Sequence, residues 1–205
     1  MSKRRATRDQ RCINCKINIR WCFCEKIHKK DTQSYVSIIM HHRERFLTSN
    51  TAHLTKRLLN NCDISMRGHR EIPFNFEIKK DFHPLYLFPH EDALPLTKDL
   101  VKSIDKPIQL IVPDGSWRQA KKFYRREKIL KDIQCIKLEN LPKSEYSLRS
   151  QISEAGLCTI EAIAYALKEI EDQATYEHLM DGFRVMNERV DISRHSEKWQ
   201  DELKF

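Results

Sequence analysis

Glycine is scarce, with four residues in a chain of 205. There is no GxGxxG fingerprint and no Walker loop, which argues against an ordinary Rossmann dinucleotide site or a P-loop NTPase. Long apolar runs are also missing, and none approaches the length that spans a bilayer, so no membrane association is expected. The basic opening "MSKRRATRDQR" is followed by no apolar segment of the kind a secretory signal requires. An intracellular, cytoplasmic protein is the expectation. Internal repeats and low-complexity linkers are absent. Apolar residues make up 40% and charged residues 32% of the chain. That composition and length suit one soluble globular domain with a sizeable core and a small appendage.

Charge is unevenly placed. Residues 1–30 hold ten Lys and Arg against two acids, a net of +8, which equals the net of the whole chain, so residues 31–205 sum to zero. Within that basic front end, "RCINCKINIRWCFCEKI" sets Cys12 and Cys15 as a CxxC pair and Cys22 and Cys24 as a CxC pair. Close-set cysteines in a reducing compartment are metal ligands more often than disulfides. Four thiolates around one tetrahedral Zn²⁺ fit this spacing, with an iron–sulfur cluster as the alternative. Zinc would fold a segment too short to build its own core. Arg11 and Arg20, with the neighbouring lysines, keep the knuckle cationic and point to nucleic acid. Trp21 and Phe23 either stack on bases or pack the knuckle onto the main domain. The expected division is a basic zinc knuckle over residues 1–30 and a main domain over residues 31–205. Cys62, Cys135 and Cys158 read as small core residues.

Beyond the knuckle, "YVSIIM" (Tyr35–Met40), "PLYLFP" (Pro84–Pro89), "IQLIV" (Ile108–Val112) and "IQCIKLE" (Ile133–Glu139) read as strands. The near-unbroken apolar run of the third suits a central parallel strand covered on both faces. Helical spacing appears after Asn50 or Thr51 as N-cap, over Ser116–Leu130, over Leu157–Glu171 with Thr159 as N-cap, and over Thr175–Val190 with Gly182 weakening its middle. The polar tail from Asp191 is expected to be loosely held. Strands alternating with helices imply an α/β layer structure with a parallel sheet.

In such a sheet, ligands sit beyond the carboxyl ends of strands. Three such ends carry polar residues: "HHRE", "FPHEDA" and "PDGSW". Asp114 lies at a strand tip, Gly115 permits a tight turn, and Ser116 caps a helix whose free N–H groups suit an anionic group. Trp117 either floors a pocket or stacks on a ring. The following segment 118–128 carries six cations and one acid. Arg118, Lys122 and Arg125 fall at i, i+4 and i+7, a nearly single-sign face suited to phosphate contacts.

"DGSWRQAKKF" resembles the signature of the DTW-domain family, with Asp114-Gly115-Ser116-Trp117 in place of Asp-x-Thr-Trp; serine keeps the hydroxyl. Other features of that family follow in order. They are the four-cysteine motif, "HHRE" where members read His-Pro-x-Glu, "NTA" (Asn50–Ala52), "FPHEDA", "SEYSLR" (Ser144–Arg149) and "LCTIEA" (Leu157–Ala162). The resemblance covers about Arg11 to about Ile170.

The resemblance implies a tRNA-uridine aminocarboxypropyltransferase. Such an enzyme moves the 3-amino-3-carboxypropyl group of S-adenosylmethionine onto N3 of a tRNA uridine, in the variable loop for members of bacterial length. It further implies an α/β fold like that of SPOUT methyltransferases, with helices on both faces of a parallel sheet and a C-terminal trefoil knot. Asp114 and Trp117 are then the candidate catalytic residues, with Asp114 accepting or orienting the N3 proton. Pro89, Asp114, Ser116, Trp117, Arg149, Leu157, Cys158, Thr159 and Glu161 are the candidate cofactor residues. Arg11, Arg20, Arg43, Arg67, Arg118, Lys122 and Arg125 are candidates for facing RNA. The quaternary expectation is a monomer or a homodimer. A SPOUT-type RNA methyltransferase and a non-catalytic zinc-dependent RNA-binding protein are the competing readings.

Overall fold

The computed structural model describes residues 10–69, 71, 73–146 and 156–202, with side chains described through His195. Six strands form one sheet: β1 (Tyr35–His41), β2 (Cys62–Arg67), β3 (His83–Leu87), β4 (Leu94–Pro95), β5 (Ile108–Asp114) and β6 (Gln134–Lys137). Their order is β2-β1-β5-β3-β6-β4, and every pairing is parallel. The helices are α1 (Thr51–Leu58), α2 (Lys98–Lys102), α3 (Trp117–Arg126), α4 (Lys128–Lys131), α5 (Thr159–Ile170) and α6 (Gln173–Glu202).

The unbroken apolar strands are explained by cover on both faces. Successive side chains of a strand point to opposite sides. Val36, Ile38 and Met40 of β1, with Leu110 and Val112 of β5, join one core with α1, α5 and α6. Ile39, Tyr86 and Ile111 point the other way, into a second core with Ala120 and Phe123 of α3 and Leu130 of α4.

β2 and β4 were not expected from the sequence. Both are edge strands, and only Cys62 of their residues is buried, so neither shows an apolar run. The expected helix from Ser116 to Leu130 is two helices, because Glu127 adopts extended backbone (φ −86°, ψ 109°). Its carboxylate turns back to form a charge-assisted pair with Arg67 at the end of β2. Glu171 ends α5 and accepts a hydrogen bond from Ser34 N at 2.6 Å.

The last helix is longer than expected, running over 30 residues and taking in much of the polar tail. Gly182 does not interrupt it. A Cβ at that position would lie 2.6 Å from Leu58 Cδ1, so this glycine allows α1 and α6 to approach closely. Among the described residues, no helix is long and apolar enough to cross a membrane.

The knuckle packs on the same core as the body: Cys15, Ile17 and Phe23 are buried with residues of β1, α1 and α6. Of the two aromatics flanking Cys22, Phe23 is 3% exposed and packs inward beneath the Arg57 guanidinium, 5.3 Å from its ring. Trp21 is half-buried, with Arg20 at 5.3 Å from its ring. The resemblance also implies a C-terminal trefoil knot, and in that part of the chain residues 147–155 lie outside the described set.

Candidate active site

The turn from β5 into α3 is built around one side chain. Gln119 folds back so that its Oε1 accepts from Ser116 N at 2.7 Å and from Ser116 Oγ at 3.0 Å, and its own N–H donates to Ser116 Oγ at 3.4 Å. This reciprocal capping box fixes the helix start. Gly115 makes it possible, since a Cβ there would meet Gln119 Oε1 at 2.7 Å. Among the described residues no acceptor takes the N–H of Trp117 or Arg118, as expected for the first turn of a helix.

Against this turn lies a cavity of about 440 Å³ at the carboxyl end of β5. Its volume falls within the roughly 300–1,000 Å³ typical of small-molecule clefts. Gly115, Ser116, Trp117 and Ala120 form one wall, Phe88 and Tyr146 another, and the run Gly156–Thr159 with Ala162 closes it. Trp117 is 57% exposed at the rim, tilted against Phe88 with ring centroids 6.2 Å apart.

Asp114 is 5% exposed and is absent from the cavity lining, although both its neighbours are present. Its Oδ2 accepts from Asn50 Nδ2 at 2.9 Å and its Oδ1 from Thr159 Oγ1 at 2.5 Å. The carboxylate therefore ties the start of α1 and the start of α5 to the tip of β5. Thr159 is not the N-cap; Cys158 holds that position, and burial followed by the Glu161 charge pushes its thiol pKa up.

Glu161 is 1% exposed and also lies outside the lining. Its carboxylate accepts from Ser144 Oγ at 2.7 Å, Glu145 N at 2.7 Å and Cys158 N at 2.8 Å. It thereby joins the segment carrying Tyr146 to the segment carrying Cys158, two walls of the cavity. Tyr146 in turn donates its hydroxyl to Ser49 O at 2.6 Å.

Of the expected cofactor residues, the structure brings Ser116, Trp117, Leu157, Cys158 and Thr159 to one cavity. Asp114 and Glu161 stand behind its walls, Pro89 is exposed beyond Phe88, and Arg149 lies outside the described residues. Phe88, Tyr146 and Gly156 join the lining without having been singled out, and Asn50 was read only as a cap. Tyr146 and Asn50 sit inside "SEYSLR" and "NTA", where a signal for them existed.

The expected RNA-facing residues divide in the same way. Arg118, Lys122 and Arg125 are exposed on α3, and Arg43 is exposed after β1. Arg67 is held by Glu127 and stacks at 5.0 Å over Phe123. Arg11 and Arg20 are exposed on the knuckle, where Arg11 donates to Lys16 O at 3.1 Å. Beside the β5–α3 turn, His41, His42 and His69 cluster, with ring centroids 4.7 Å and 6.0 Å apart in that order. Burial, then the charges of His42, Arg43, Arg67 and Lys122, hold the His41 pKa below the usual imidazole value.

The four knuckle cysteines bring their sulfurs within 4.8 Å of one another, with Cys12–Cys24 at 3.6 Å and Cys15–Cys22 at 3.8 Å. Sulfurs at about 2.3 Å from one tetrahedral ion stand about 3.8 Å apart, so the set fits a single metal ion. Without one, burial pushes the Cys15 thiol up to about 12. No disulfide joins any of the seven cysteines.

A family model for the DTW domain matches residues 9–191. Among curated proteins, the tRNA-uridine aminocarboxypropyltransferase 2 of Drosophila melanogaster is 27% identical over 177 residues, 81% of this chain and 68% of the fly protein. The protein of the same name from Macaca fascicularis is 25% identical over 174 residues, 81% of this chain and 58% of its own length. The chain thus spans about three fifths to two thirds of the curated relatives it matches. Among solved structures, the SAM-dependent rRNA:acp-transferase Tsr3 from Vulcanisaeta distributa superposes with a TM-score of 0.53 at 18% identity, covering 80% of this chain and 81% of that one. That likeness shows a shared fold. Since the DTW match takes in the cysteine cluster, the Asp-Gly-Ser-Trp turn and every wall of the cavity, the chain belongs to the DTW domain family.

Proposed function

We propose that this protein transfers the 3-amino-3-carboxypropyl group of S-adenosylmethionine to N3 of a uridine in tRNA, in the variable loop. The observation that carries the reading is the cavity at the β5–α3 turn, which pairs an aromatic rim with a helix start whose N–H groups have no internal acceptor. The names of the curated relatives and of the solved neighbour support the same chemistry.

In the reaction, uridine N3 bonds to the methionyl Cγ as the Cγ–S bond breaks. The electron pair of that bond neutralises the sulfonium, 5′-methylthioadenosine leaves, and the N3 proton passes to solvent. A sulfonium is a good leaving group, so positioning outweighs acid assistance. In this reading the N–H groups of Trp117 and Arg118 receive the methionyl carboxylate at the helix start. The wall from Gly156 to Thr159 takes the adenosine, and Trp117 at the rim stacks on the uracil. Both Asp114 oxygens are engaged by Asn50 and Thr159. We therefore assign Asp114 a positioning role, holding three elements around the cavity. Glu161 does the same for the opposite walls, and Arg149 contributes to the carboxylate site.

Zn²⁺ suits the four knuckle thiols and would act structurally, clamping the basic front end to the body. The cationic face of α3 would follow tRNA phosphates. The trefoil knot, a catalytic domain over 31–205 and a cytoplasmic setting, in keeping with seven cysteines that form no disulfide, belong to the same reading. Purified protein incubated with the donor and unmodified tRNA tests it by nucleoside mass. A gain of about 101 Da on one uridine supports it, whereas a gain of about 14 Da would mean methylation instead.

A further inference from the structure

A second hollow, about 590 Å³, opens beside the contact of knuckle and body and is lined by both. Six cations line it: Arg11, Lys16 and Lys29 from the basic front end, and Arg45, Lys56 and Arg57 from the body. No Asp or Glu is in its lining. Among the described residues, Lys16, Lys29, Arg45, Lys56 and Arg57 form no salt bridge. So many like charges around one concavity raise the local potential and favour a polyanion.

The rim is apolar where solvent would be expected to select polar groups. Phe46 is 75% exposed and Leu47 44% exposed. The Arg45 guanidinium lies 4.3 Å over the Phe46 ring, and its Nε is buried with no acceptor. An exposed aromatic ring beside cations is a platform on which an unstacked base can lie, and the same ring has little to offer a duplex, whose base faces are covered.

The hollow is also linked to the cavity through hydrogen bonds. Asn50 lines it while donating to Asp114, and the neighbouring Ser49 carbonyl accepts from Tyr146 of the cavity wall. One short turn therefore lines the hollow and is hydrogen-bonded to the cavity's Tyr146 and to Asp114 behind its wall.

We propose that this groove binds a single-stranded stretch of the substrate RNA next to the target nucleotide, with phosphates on its six cations and a base stacked on Phe46. The inference rests on the RNA-modifying reading above. It is tested with the metal-loaded full chain and an unmodified tRNA transcript, by measuring affinity across a salt series. The variants are Lys29→Glu with Lys56→Glu, and Phe46→Ala; all three residues are exposed. The paired charge reversal is expected to weaken tRNA binding by at least about tenfold and to flatten the log–log salt slope by about 0.7 for each phosphate no longer neutralised. Phe46→Ala is expected to weaken it by about tenfold with the slope unchanged. Affinity for S-adenosylhomocysteine should stay at the wild-type value in each. Wild-type tRNA affinity and salt slope in the charge-reversed variant would overturn the proposal, and would leave the groove to an acidic protein partner. The two readings fail separately. If the wild type never modifies tRNA yet the variants lose RNA affinity, the groove stands and the transferase reading falls. If the wild type modifies tRNA and the variants do so with unchanged KM, the groove falls alone.

Discussion

Thr159, the first residue of α5, donates its hydroxyl to Asp114, the last residue of β5, at 2.5 Å, across 45 positions of sequence. With Asn50 on the other oxygen, the carboxylate is the common acceptor of two helix starts. Asp114→Asn keeps the shape but turns one N–H donor toward another donor. A buried donor left unsatisfied costs about 1–3 kcal/mol, and each kcal/mol lowers Tm by about 2–4 °C in a chain of this size. The expected result is a folded variant with a Tm lower by several degrees and weakened S-adenosylhomocysteine binding. A proton acceptor alone would instead lose turnover with Tm and ligand affinity intact, and calorimetry of the variant distinguishes the two.

Glu161→Ala removes the acceptor of three hydrogen bonds at once. The expected destabilisation is roughly 3 kcal/mol or more, read as a lower urea midpoint. Glu161→Gln should recover part of it, because the amide oxygen still accepts.

Gly115→Ala forces Gln119 Oε1 away from Ser116. Loss of a cap costs about 0.5–2 kcal/mol. The helix start should fray, raising amide exchange at Trp117 and Arg118 with little change at α5.

Stability should fall on acidification through the histidine range. The folded chain holds His41 below its ordinary pKa, first through burial and then through nearby positive charge. Below the unfolded value of about 6.5 the unfolded chain therefore binds more protons than the folded one, and stability drops as pH falls. Thermal midpoints at pH 7.5 and pH 5.5 should differ, and His41→Gln should narrow the gap.

If the four thiols hold the proposed Zn²⁺, chelating it should loosen the knuckle. Its buried residues Cys15, Ile17 and Phe23 share the core of β1, α1 and α6, so chelation exposes apolar surface there. A lower Tm together with loss of tRNA affinity is expected, and both should return on adding Zn²⁺. Acidification should release the ion as well, because the ligands must be thiolates.

The interior strands were legible because they are covered on both faces: β1, β3 and β5 show as apolar runs. The edge strand β2 was not, because five of its six residues are only half-buried and its sequence "CDISMR" looks like loop. The break at Glu127 depends on Arg67, sixty positions away, and no local pattern announces it. The site divides similarly. Local turn chemistry pointed to Asp114, Gly115, Ser116 and Trp117. The bond from Asn50 to Asp114 spans 64 positions, and only the folded chain reveals that the carboxylate is spoken for.

Where α1 and α6 cross, the missing side chain of Gly182 is filled by Leu58, whose Cδ1 stands 2.6 Å from where a Cβ would be. Bulk added at 182 must therefore be matched by bulk removed at 58, or it spreads the crossing and carries that displacement along α1 toward Asn50.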